Sequence, residues 1–173
     1  MTERYGWQWY GQARPPFAVE PGPGQESVWD FPRPPRVETD GRLVEVVSGD
    51  VQLARSKVAM RLLETASPPT FYVLPEDVNF AELARCGGSS SCEWKGQASY
   101  WSLRGSERPV AWSYDRPKSG FEALTGAIAF YPSRVQCFVA GERVEAQPGD
   151  FYGGWITREL VGPFKGEPGT SGW

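Results

Sequence analysis

The sequence predicts a mainly β fold, all-β to α+β in class: a curled antiparallel sheet or small open barrel with two or three short helices. Three observations carry this. Glycine and proline are abundant, 20 and 16 among 173 residues, and cut the chain into short runs. The runs between them are rich in β-branched and aromatic residues, as in Thr70-Phe71-Tyr72-Val73-Leu74. Tight-turn signals, such as Ser48-Gly49-Asp50 and Ala140-Gly141-Glu142, separate neighbouring runs.

Residues 1–36 read as an extended arm. Pro15-Pro16, Pro21-Gly22-Pro23-Gly24 and Pro32-Arg33-Pro34-Pro35 exclude helix and central strand. Trp7, Trp9, Tyr10, Phe17, Trp29 and Phe31 punctuate it, whereas disordered tails are poor in such residues. The arm is therefore expected to lie along the domain or along a partner subunit. Residues 37–147 read as the globular part. Residues 43–47 and 51–54 form a hairpin around Ser48-Gly49-Asp50. Residues 57–65 switch to helical spacing, with Val58 and Leu62 four apart and Ser56 as cap. A short strand follows at 70–74. Asn79-Phe80-Ala81-Glu82 has a capping-box spacing, and Ser119-Gly120-Phe121-Glu122 repeats it. Gly87-Gly88-Ser89-Ser90-Ser91 reads as a flexible loop. Strands are expected at 95–103 and 109–114, and a further β pair at 128–131 and 134–140, joined at Pro132-Ser133. Residues 148–173 are glycine-rich but carry Phe151, Tyr152, Trp155, Phe164 and Trp173, so this tail is expected to pack on the domain.

Composition removes several function classes. With 18 basic and 21 acidic residues the net charge is −3, so the chain lacks the basic footprint of a nucleic-acid binder. No run approaches the roughly 18 apolar residues that span a bilayer. Three cysteines and the polar, aromatic N-terminus, with no secretory h-region, predict reduced thiols in the cytoplasm. There is no histidine. Serine–histidine–acid catalysis and histidine metal sites are thereby excluded within the chain, and three cysteines do not complete a four-thiolate zinc site. No metal or other cofactor is expected. Acid–base work at neutral pH would fall to a perturbed Glu, Asp, Lys, Tyr or Cys.

The densest chemistry lies in Cys92-Glu93-Trp94-Lys95-Gly96-Gln97-Ala98-Ser99-Tyr100-Trp101 and in Ala111-Trp112-Ser113-Tyr114. Rings with polar tips surround one cation there. They either fill a core or line a pocket for a flat or sugar-like ligand. Tyr72, Cys92, Tyr100, Trp101, Trp112 and Tyr114 are the candidate ligand-binding residues. Alternation places Tyr100 and Trp101 on opposite faces of their strand. Lys95 reads as a cation for a tryptophan face, for Glu64 or for a ligand anion, with amine nucleophile or base as the alternative. Glu64 closes the expected helix, where a carboxylate opposes the helix dipole, so it reads as an ion-pair or pocket residue. Glu64 and Lys95 are the candidate catalytic pair. Cys92 lies three residues from Lys95 but lacks the usual activating base. Glu76 and Asp77 are adjacent, and adjacency points two side chains apart.

The order of Leu62-Leu63-Glu64-Thr65, Tyr72-Val73-Leu74-Pro75-Glu76-Asp77-Val78, the Cys92 to Trp101 run, Ala111-Trp112-Ser113-Tyr114 and Ala127-Ile128-Ala129-Phe130-Tyr131 resembles the bacterial family of domain of unknown function 427, over roughly residues 40–145. The resemblance implies a compact, β-rich, cytoplasmic domain and carries no assigned activity. Some catalogues label the family nucleotidyltransferase-like. That chemistry uses an Asp-x-Asp magnesium pair, and none occurs here. The readings that follow are a small-molecule ligand in an aromatic cleft, with or without metal-independent catalysis, or a protein-interaction or self-association module (a homodimer) built on the arm, with a nucleotidyltransferase third.

Overall fold

A computed structural model describes residues 6–173; the first five residues of the expected arm lie outside it. Fifteen strands follow in chain order among the described residues: β1 (Glu26–Ser27), β2 (Arg36–Asp40), β3 (Val44–Ser48), β4 (Val51–Ser56), β5 (Ala59–Leu63), β6 (Thr70–Tyr72), β7 (Leu83–Cys92), β8 (Gly96–Leu103), β9 (Pro109–Ser113), β10 (Ile128–Phe130), β11 (Gln136–Val139), β12 (Glu142–Arg143), β13 (Glu145–Ala146), β14 (Trp155–Ile156) and β15 (Leu160–Val161). The fold is mainly β, in several antiparallel sheets, none of them closed into a barrel.

One four-stranded sheet has the order β10-β9-β8-β7 and a three-stranded sheet the order β2-β5-β6. A bridge between Val73 and Ile128 joins them edge to edge, with each backbone N–H donating to the other's carbonyl at 2.8 Å. A second four-stranded sheet, β12-β11-β3-β4, packs against this curled surface. Side chains alternate across the curled surface, as pleating requires. Phe71, Ala111, Ile128 and Phe130 face the main core with Val44, Val46, Leu53 and Trp155. Tyr72, Ala98, Trp112 and Ala129 face a second cluster with Met60, Leu62, Tyr114 and Tyr131.

The expected helix at 57–65 is strand β5 instead. Ala59, Met60, Leu62 and Leu63 are all buried because the strand is covered on both faces. A doubly covered strand reads as a continuous apolar run, and the spacing of Val58 and Leu62 is then accidental. The other expected helices reduce to single 3-10 turns: Asn79 makes no side-chain cap, and Glu122 accepts from the backbone N–H of Gly120. No α-helix forms among the described residues. Residues 87–91 are not a loop. They belong to β7, and the register shift between Cys86 and Ser89 leaves Gly87-Gly88 as a bulge. β10 and β11 do not pair with each other; β10 pairs β9 and β11 pairs β3. The β3–β4 hairpin and the Ala140-Gly141 turn, with φ of 48° and 80°, form where expected.

Arm and tail fold back on the domain together. β1 pairs β15 in parallel. Trp9, Val28, Trp29 and Phe31 form a third buried cluster with Leu63, Ala66 and Leu160. Beside it, Arg61 of β5 bonds Glu38 across the strands and Glu26 from the arm, with Asp40 at 3.7 Å and Arg42 on Asp40. Burial opposes charge on Asp40, but hydrogen bonds from Arg42 and the charges of Arg42 and Arg61 outweigh it and hold the carboxyl below its usual range. A depressed native carboxyl contributes stability above its unfolded pKa and loses it as pH falls through the native one. Asp40→Asn is therefore expected to cost about 1–3 kcal/mol at pH 7. Urea unfolding at pH 7 and near pH 3 checks this: the gap between the variant and the parent should narrow at the acid end.

Candidate functional site

A three-residue loop, Glu93-Trp94-Lys95, joins β7 to β8, with Cys92 opposite Gly96. Gly96 takes φ +107°, a conformation that closes such a loop and that side chains resist. Lys118 secures it from outside: its backbone N–H donates to the Lys95 carbonyl and its ammonium to the Glu93 carbonyl, both at 2.9 Å. The loop thus hangs Lys95 inward over the second cluster, where its side chain is buried.

Below it lies an open cavity of about 620 Å³, within the usual range for small-molecule sites. Tyr72 from β6, Tyr100 from β8, Trp112 from β9 and Tyr114 just after it form one wall. Glu64, which follows β5, and Cys92 and Lys95 from the loop line it too. Tyr131, Arg134, Tyr152 and Lys165 are also on its wall. Seven of the eight candidate residues from the sequence therefore meet in one place. Trp101 does not. It faces the main-core side, donates from Nε1 to Ser113 Oγ at 2.9 Å, packs on Phe80 at 5.2 Å and carries the Arg85 guanidinium 4.7 Å above its ring. Glu76 and Asp77 sit in a 3-10 turn that does not line the cavity.

The rings are braced rather than jammed. Trp112 stands edge-on to Tyr72 at 6.3 Å and tilts against Tyr131 at 4.6 Å. Tyr114 lies 6.4 Å from Tyr72. The Tyr100 hydroxyl is satisfied by Ser90 Oγ at 2.6 Å. The Tyr72 hydroxyl is sealed from solvent and makes no hydrogen bond of good geometry, while Trp112 and Tyr114 stand close enough to act on it. Burial pushes the Tyr72 and Tyr114 phenols well above their ordinary range and Tyr131 to about 12, so all three are neutral donors at physiological pH.

Lys95 Nζ lies 5.8 Å from the Tyr114 ring, so the ring it meets is a tyrosine's and not a tryptophan's. Burial works against its charge and the Glu64 carboxylate works for it, with the net direction of its pKa upward. Lys95 therefore reads as a cation on the cleft wall. Glu64 is not a helix-end residue. Its Oε1 stands 3.5 Å from Nε of Arg33, a buried guanidinium brought by the arm. Lys165 differs from Lys95: burial and the nearby Arg33 lower its pKa, and its Nζ sits 4.6 Å over the Trp7 ring and donates to the Trp173 main-chain oxygen at 3.2 Å. Sequence reasoning did not single out Lys165, Tyr131 or Arg134. Tyr131 precedes Pro132 and Lys165 precedes Gly166, while Arg134 stands between Ser133 and Val135 with no local mark.

The family model described as Domain of unknown function (DUF427) matches residues 36–141, and the chain belongs to that family. No curated protein matches the sequence. The matched span starts at the first residue of β2 and ends in the turn after β11. It holds Glu64, Tyr72, Lys95, Trp112 and Tyr114, while Trp7, Tyr152 and Lys165 come from outside it. Among the described residues, no group of three or more Cys, Asp or Glu is placed to hold a metal ion, and no helix is long and apolar enough to cross a membrane.

Proposed function

We propose that the protein binds a small molecule in the aromatic cleft between the β7–β8 loop and the C-terminal tail, with Tyr72, Trp112 and Tyr114 as the ring wall and Lys95 and Glu64 as its charged groups. One observation carries this reading. An open cavity of about 620 Å³ is walled by the polar-tipped rings of Tyr72, Tyr100, Trp112 and Tyr114 and holds the buried Lys95. Flat rings around an enclosed cation suit a small ligand that stacks and carries a polar group. The arm's Trp9, Trp29 and Phe31 are buried within the chain, so they need no partner to cover them, which favours the ligand reading over a self-association module. If a reaction follows binding, Lys95 supplies a cation or a proton and Glu64 the carboxylate. All three cysteines are free, which suits a reducing cytoplasm.

A metabolite screen by thermal shift tests this. Compounds that raise the melting temperature of the parent protein are expected to lose that effect in Lys95→Ala and in Trp112→Ala. Equal shifts in folded Lys95→Ala would count against the cleft as the site.

A further inference from the structure

We propose that Asp150-Phe151-Tyr152 forms a lid on this cleft, and that the Phe151 ring closes over a flat ligand after it enters. The inference rests on the cleft being a ligand site and adds a residue that retains what enters it.

The lid is the tip of the loop between β13 and β14, and the base of that loop is fixed. The Gln147 backbone N–H donates to the Gly154 carbonyl at 3.2 Å. The buried Gln147 side chain accepts from the Gly154 N–H at 3.0 Å and donates to the Lys165 carbonyl at 2.7 Å. Two glycines inside this base lie where no larger residue fits. A Cβ on Gly149 would stand 2.7 Å from the Gly166 oxygen, and one on Gly153 would stand 2.2 Å from Cη2 of Trp112, a ring of the cleft wall. The tip between them is loosely held. No backbone group of residues 148–153 makes a hydrogen bond with another described residue. Asp150 Oδ1 stands 3.8 Å from Arg134 Nη2 with its side chain 81% exposed, and ion pairs so open to water contribute little. Segments with open backbone and few buried contacts move at the lowest cost. Phe151 is 76% exposed, the most exposed large apolar side chain among the described residues, yet it lines the same cavity as Trp112 and Lys95. Its ring stands edge-on to that of Tyr152 at 5.1 Å. An apolar ring left in water at the mouth of a ring-lined cleft gains by covering a ligand, and the fixed base confines the movement to the tip.

The full chain and anilinonaphthalene sulfonate, a flat fluorescent anion suited to a ring wall with a lysine, test this. Hydrogen exchange followed by mass spectrometry is expected to be fast at residues 149–153 in the free protein and to slow about fivefold or more with the probe bound. Phe151→Ala should leave the urea midpoint unchanged, because the ring is exposed. It should weaken the probe about tenfold, mainly through faster release in stopped-flow fluorescence. Unaltered affinity in Phe151→Ala, or unaltered exchange at 149–153 on binding, would overturn the lid. The cleft would still stand as a ligand site in that case if Lys95→Ala or Trp112→Ala weakens the probe. Absence of binding by the parent, or binding that both of those variants keep, would overturn the lid and weigh against the cleft itself.

Discussion

Trp155→Ala is expected to destabilise the protein by about 3–5 kcal/mol, the range for emptying a buried indole site. The ring is completely buried, stacks on Phe71 at 4.8 Å and donates from Nε1 to the Phe130 carbonyl at 3.0 Å. Alanine would leave a cavity between the two large sheets and orphan a carbonyl at the end of β10. Domains of this size are stable by only about 5–15 kcal/mol, so one substitution would take a large share. Trp155 lies in β14, beyond the span that matches the family model. The same reasoning predicts that a chain cut after residue 147 does not fold cooperatively. Urea unfolding followed by tryptophan fluorescence checks both. A loss below about 1 kcal/mol for Trp155→Ala would mean that the core collapses onto the gap.

What the sequence reveals and what it hides follow from the range of the interactions. The β3–β4 hairpin is legible because its turn residues and strand pattern are adjacent. Tyr72, Lys95, Trp112 and Tyr114 are legible as a group because polar-tipped rings cluster visibly around one cation. β5 is hidden because burial on both faces erases the two-residue alternation that marks a half-exposed strand. The glycine pair in β7 mimics a loop because a bulge and a loop need the same residue. The placing of Trp101 away from the cleft follows from alternation once the partner face is known, and the sequence leaves open which face is which. Lys165 and Arg33 are hidden for another reason. Lys165 lines the cleft and Arg33 stands against Glu64 on its wall, each placed by contacts between separate parts of the chain, Arg33 to Thr65 and Trp173, and Lys165 to Gln147 and Trp173. No local spacing encodes such contacts.

Arg33 ties these distant pieces together, and Arg33→Met is expected to cost about 3–5 kcal/mol, as for breaking a buried charge pair. The guanidinium is almost wholly buried and donates to the main-chain oxygens of Trp9, Thr65 and Trp173 at 3.0, 3.0 and 2.7 Å. It also lies 4.0 Å from the Trp7 ring centroid and 3.5 Å from Glu64. One side chain thereby holds the arm, the turn after β5 and the tail in register, and balances the carboxylate on the cleft wall. Methionine fills much of the volume but satisfies none of the three oxygens and leaves Glu64 without its nearest cation. Because the two residues interact directly, Glu64→Gln in the Arg33→Met background should recover part of the loss, with a coupling of about 1–3 kcal/mol. Equilibrium unfolding of the four proteins in the cycle measures it. Additive losses would mean that Arg33 acts only through the backbone oxygens, and Glu64 would then be free to answer to the ligand alone.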